Sequence, residues 1–123
     1  MANVLFVCVR NAAASQLAQA LHERRGGSAR SAGVRPAAEL DEAVVEALEE
    51  VGIDVSGRVP RALAQTDIEW ADLVVTMGGA DPGNLLAATP RLDWDVPDPV
   101  GLCLEEVREL RAVVEQRVAV LPT

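Results

Sequence analysis

The sequence predicts an α/β fold: a single domain over residues 1–123, built on an open parallel four-stranded sheet with helices on both faces. Three observations carry this expectation. Short β-rich apolar runs alternate with amphipathic helical stretches along the chain. The first run, Val4-Leu5-Phe6-Val7, is continuously apolar rather than alternating, the pattern of a strand covered on both sides. The chain has 123 residues, half of them apolar and 24% charged, which suits one globular domain that buries its own core.

The elements follow in order. Ala2–Cys8 reads as the first strand. Ser15–Arg25 reads as a helix that carries Leu17 and Leu21 and stops at Gly26-Gly27. Ala29–Gly33 is a short second strand. In Glu39–Val51, Leu40, Val44, Leu48 and Val51 share one helical face, and Gly52 ends the helix. The acidic residues of this stretch form a solvated face. Asp72–Met77 is the third strand. Gly78–Pro99 holds four prolines and reads mainly as loop, with a short helix at Asn84–Ala88 and a fourth strand at Arg91–Trp94. The last helix, Leu104–Leu121, is striped by Val107, Leu110, Val114, Val118 and Leu121. Crossovers in such a sheet are right-handed by default, and its ligands sit beyond the carboxyl ends of the strands. Three places therefore matter: the turn after Val7, the loop after Met77 and the loop after Trp94.

Composition narrows the partners. Eleven basic residues, all of them Arg, stand against nineteen acidic ones, for a net charge of −8. Long-range repulsion of phosphates argues against a nucleic-acid or anionic-membrane partner, and leaves room for a small anion in a local positive site. Val4–Val9 is far too short to span a bilayer, and no signal peptide is expected. Cys8 and Cys103 read as free thiols, which fits the cytoplasm; no metal site and no bound cofactor are expected.

The turn Cys8-Val9-Arg10-Asn11-Ala12-Ala13-Ala14-Ser15 leads from a strand into a helix N-terminus, where unpaired N–H groups and the helix dipole favour an anion. The same field is expected to lower the pKa of a cysteine at its start. Asn11 suits a left-handed backbone position. Ser15 suits a helix cap or a hydrogen bond to the thiolate. His22 is expected in solvent, Trp70 and Trp94 as packing residues, and Cys103 as a small buried apolar residue.

The run Val4-Leu5-Phe6-Val7-Cys8-Val9, then Asn11, then Ser15-Gln16, resembles the phosphate-binding loop of the low-molecular-weight tyrosine phosphatases and the related arsenate reductases. The likeness continues through Ser31-Ala32-Gly33, Gly52-Ile53-Asp54-Val55-Ser56, Ala71-Asp72-Leu73-Val74-Val75-Thr76-Met77-Gly78, and Trp94 followed by Asp98-Pro99. Ser15-Gln16-Leu17-Ala18 and the Trp94-to-Asp98 spacing are closer to the arsenate reductase branch. The resemblance implies Cys8 as nucleophile and Asp98 as general acid. Val9, Arg10, Asn11, Ala12, Ala13, Ala14 and Ser15 would form the oxyanion-binding loop. A small oxyanion, arsenate or a phosphate ester, would be the substrate, and an external low-molecular-weight thiol the reductant.

Two departures bear on this expectation. The family's loop runs Cys, five residues, Arg, then Ser or Thr, and here Ala14 stands where the Arg belongs. Its fork normally grips two oxyanion oxygens, so reduced activity is implied. Arg10 is new in the loop, and either swings over the cradle or pairs with a surface carboxylate. After the third strand, Gly78-Gly79-Ala80-Asp81-Pro82 carries no resolving cysteine. The alternatives are a non-catalytic relative that binds an anion or a partner protein, and a thiol-based arsenic or redox sensor.

Overall fold

The computed structural model describes residues 2–83, 89–98 and 101–123. Its elements are β1 (Asn3–Cys8), α1 (Ala14–Arg24), β2 (Ser28–Gly33), α2 (Glu42–Glu49), α3 (Gln65–Trp70), β3 (Leu73–Thr76), β4 (Arg91–Asp93) and α4 (Leu104–Val118). The four strands are parallel, in the order β2-β1-β3-β4. The expected short helix at 84–88 falls outside the described residues.

The continuously apolar run takes a central place. Val4, Leu5, Phe6, Val7 and Cys8 have no exposed surface. Val4, Phe6 and Cys8 join the cluster built by α1, α2 and α4, with Leu17, Leu21, Leu48 and Val114 among its members. Leu5 and Val7 join Val74 and, from α3, Ile68. Among the described residues, helices thus cover both faces, but unequally: three on one side, short α3 on the other. Cys8 pairs in register with Gly33, and Val7 with Thr76, so three strands end close to level.

Three differences from expectation have local causes. Helix α2 starts at Glu42 rather than Glu39, because Ala37 N–H and Asp41 N–H donate to Arg10 O and Ala12 O and hold residues 37–41 along the β1–α1 turn. At its far end Gly52 (φ +82°) makes the left-handed turn and Ile53 N–H closes on Leu48 O. Helix α3 is too short to show a hydrophobic period. Its anchor is the buried carboxylate of Asp67, which takes hydrogen bonds from Arg61 Nη2 at 2.7 Å, Arg30 Nη1 at 3.4 Å and the Ala64 N–H at 3.1 Å. The Arg30 guanidinium also lies 4.3 Å from the centroid of Trp70.

His22 is the third difference. It is buried, not in solvent. Its ring stands edge-on to Phe6 with centroids 5.7 Å apart, and Gly27 passes so close that a Cβ there would come within 2.3 Å of Nε2. Arg25 Nη1 lies 3.2 Å from Nδ1; guanidinium only donates, so Nδ1 accepts and the imidazole is neutral. Burial first, then the Arg25 charge, lowers its pKa from 6.5.

This sets the sign of a pH effect. The unfolded chain binds a proton at His22 more readily than the folded one, so the stability that neutral His22 contributes is present above its unfolded pKa and declines as the pH falls below it. We expect His22→Phe, which keeps the ring contact with Phe6, to show a smaller drop in thermal midpoint between about pH 7.5 and pH 5 than the native chain. Equal drops in the two proteins would refute this assignment.

Candidate active site

The site begins where β1 ends. Cys8 is its last residue, and the chain turns at once through residues 9–13 into α1. The carbonyls of this turn face outward and are taken up by the strip that follows β2. Val34 N–H donates to Cys8 O, Arg35 N–H to Val9 O, Ala37 N–H to Arg10 O and Asp41 N–H to Ala12 O. With the oxygens committed outward, N–H groups turn inward, and Asn11 N–H donates to Cys8 Sγ at 3.1 Å. Asn11 has φ +53°, the left-handed position expected of it. Gly33 closes the back of the turn. A Cβ there would stand 2.8 Å from Val9 O and 3.0 Å from Asn11 N, so no side chain fits.

A side-chain relay sets the direction of the bonds at sulfur. Asn11 Oδ1 accepts from the Arg61 N–H at 3.0 Å and from Gln16 Nε2 at 3.0 Å. Its Nδ2 therefore donates to Ser15 Oγ, 2.8 Å away. The Ser15 hydroxyl, already accepting, has its proton available for Cys8 Sγ at 2.8 Å. That direction stabilises a thiolate.

Asp98 arrives from the loop after β4. Its Oδ2 accepts from Arg10 N–H at 3.1 Å, and its Oδ1 from Ala14 N–H at 3.4 Å. Gly78 (φ +65°), just after β3, makes the approach possible, since a Cβ on it would lie 2.4 Å from Asp98 Cβ. Trp94 N–H bonds Thr76 O, and the Trp94 ring packs at 5.8 Å from Phe6, a packing role as expected. The three loops singled out from the sequence thus converge.

Several expectations are corrected here. The Cys8 thiol is pushed up, to about 11, not down. Burial contributes most and the Asp98 charge next; together they outweigh the bonds from Ser15 and Asn11. The positive end of the loop is met by a carboxylate. Ala14 offers its N–H and a buried methyl only. Arg10 takes the second of its two courses: its Nη2 lies 3.2 Å from Asp41 Oδ1. Cys103 is exposed rather than buried, because it precedes α4, where Glu106 Oε1 accepts from its Sγ at 3.1 Å and from its N–H at 3.3 Å.

Among the described residues, no group of three or more His, Cys, Asp and Glu is placed to hold a metal ion, and no helix is long and apolar enough to cross a membrane. Sequence reasoning passed over Gly78, Gly33 as a packing requirement, the Gln16 amide and the backbone of Arg61. Gly33 ends β2 and Gly78 lies two residues past β3, a usable signal. Arg61 has none, since it acts through its main chain.

Residues 3–122 match the family described as low molecular weight phosphotyrosine protein phosphatase. A Halobacterium salinarum protein provisionally named an arsenate reductase is 37% identical over 121 residues, 92% of this chain and 85% of its own. The glutaredoxin arsenate reductase of Synechocystis is 30% identical over 124 residues, 96% of this chain and 94% of its own. Among solved structures, an arsenate reductase in the phosphate binding state superposes with a TM-score of 0.86 at 30% identity, covering 97% of this chain and 95% of that one. An arginine phosphatase from Geobacillus stearothermophilus superposes at 0.82 with 27% identity, covering 97% and 89%. With the match running through nearly all of its length, the chain belongs to the low molecular weight phosphotyrosine protein phosphatase family, on the fold its arsenate reductases and phosphatases share.

Proposed function

We propose that the protein is an arsenate-reductase-type enzyme in which Cys8 attacks a small oxyanion held by the backbone of residues 9–15. The observation that supports this most is the sulfur of Cys8 at the focus of an inward-turned loop, with the Asn11 N–H and the Ser15 hydroxyl on it. In the first step a bond forms between Cys8 Sγ and arsenic, and an As–O bond breaks. The thiol proton and the departing hydroxide leave together as water, with Asp98 relaying the proton. In the second step an external thiol attacks Cys8 Sγ. The S–As bond breaks, its electron pair stays on arsenic, As(V) becomes As(III), and Cys8 is left in a mixed disulfide with the reductant. The reductant is external on this reading because Gly78-Gly79-Ala80-Asp81-Pro82 has no thiol to offer. A cytoplasmic setting would keep both free cysteines reduced.

A second reading, an anion-binding relative without turnover, is favoured by one observation: Ala14 leaves the loop without the guanidinium that would balance charge in the transition state. In a phosphatase reading the first step expels an alcohol from phosphorus; in the second, water attacks phosphorus, the S–P bond breaks with its electron pair on sulfur, and phosphate leaves as Cys8 is regenerated.

Three measurements separate these readings. Cys8→Ser should abolish both thiol-dependent arsenate reduction and aryl phosphate hydrolysis; turnover that survives it would remove Cys8 from the chemistry. Ala14→Arg should raise kcat/KM by roughly a thousandfold, the worth of a guanidinium in comparable sites. Activity seen in that variant alone would establish the second reading. Because the Cys8 thiol is held near 11 and enters the step with its proton, native kcat/KM should change by less than about threefold between about pH 8 and 10. A climb of about tenfold per pH unit would show that only the thiolate attacks and would remove Asp98 from the relay.

A further inference from the structure

The carboxylate of Asp98 occupies two donors of the loop that an oxyanion would use, the N–H groups of Arg10 and Ala14. The arrangement is built into the fold. Gly78 has no side chain where a Cβ would meet Asp98 Cβ at 2.4 Å and the Asp98 backbone N at 3.1 Å, and its own N–H holds Val96 O at 2.8 Å. Trp94 N–H, bonded to Thr76 O, ties the same loop to the end of β3. No guanidinium offsets the charge. Position 14 carries a methyl, and the Arg10 side chain is turned to Asp41. The loop therefore presents a thiol and a carboxylate to whatever enters it.

We propose that Asp98 is the specificity-determining residue of this site: as a resident acceptor, it selects an inorganic oxyanion that still carries an O–H over one whose fourth substituent is carbon or an ester. The proposal rests on the reading of the Cys8 loop as an oxyanion site and narrows its substrate class. Inorganic arsenate and phosphate dianions keep one hydroxyl proton and donate it to the carboxylate. The dianion of a phosphate monoester or a phosphonate has acceptors only at its terminal oxygens, so it meets Asp98 acceptor to acceptor and charge to charge. In the parent family pattern an arginine would mask that repulsion. With Ala14 it acts in full, and the residue that supplies a catalytic proton also decides which anion stays.

The test compares inorganic phosphate with methylphosphonate, which has a methyl in place of the hydroxyl and nearly the same shape. Titration calorimetry at about pH 9, where both are dianions, removes net charge as a variable. The native protein should bind inorganic phosphate at least ~10-fold more tightly than methylphosphonate. Asp98→Asn, which can donate, and Asp98→Ala should each bring the ratio to within about threefold. A native ratio near one, a ratio that survives both substitutions, or native protein that binds neither anion would overturn the proposal. Thermal unfolding of the two variants checks that they fold; if neither does, the native ratio alone decides. The catalytic reading fails separately, through turnover that survives Cys8→Ser.

Discussion

The direction of a few carbonyl groups governs the rest of this molecule. Cys8, Val9, Arg10 and Ala12 each give their oxygen to the strip from Val34 to Asp41. A peptide unit has two polar ends, so committing one end outward aims the other inward. The loop at the end of β1 thereby turns N–H groups inward, that of Asn11 to the sulfur and those of Arg10 and Ala14 to Asp98. The same bonds delay the start of α2 and hold Gly33 so close to the loop that only hydrogen fits at its α-carbon. Fold and site are one set of hydrogen bonds at that edge.

The electrostatics run against the habit of such loops. A strand-to-helix turn offers positive potential, and the usual consequence is an acidic thiol. Here the potential is answered from within by Asp98, while burial deprives the sulfur of water. Ser15 and Asn11 pull the other way and lose. Position 14 is an alanine, and the one arginine in the loop is paired with Asp41. The outcome is a sulfur held as a neutral thiol.

Much of this was legible in the residues. The unbroken apolar run of β1 announced a strand buried on both sides, and Cys8 at its end marked the turn where the three loops meet. The stripes of α1 and α4, and the glycines after α1, set their extents to within a few residues. What was hidden depended on contacts distant in sequence. Asp98 reaches Arg10 across 88 positions, and nothing near Cys8 tells how that carboxylate will orient. His22 looked solvated because a lone polar residue on a helix usually is; its burial depends on Phe6 and on the bare backbone of Gly27. Helix α3 is held by the ions around Asp67 rather than by a hydrophobic period, so no pattern advertised it.

The same Asp67 has a reach beyond its own helix. It grips the guanidinium of Arg61, whose other nitrogen clasps Ser31 O and whose main chain touches Asn11. Through that handhold the thinly covered side of the sheet is mechanically joined to the turn on its rim. The carboxamide of Asn11, which stands next to the sulfur, thus takes one of its bonds from a segment anchored beneath α3.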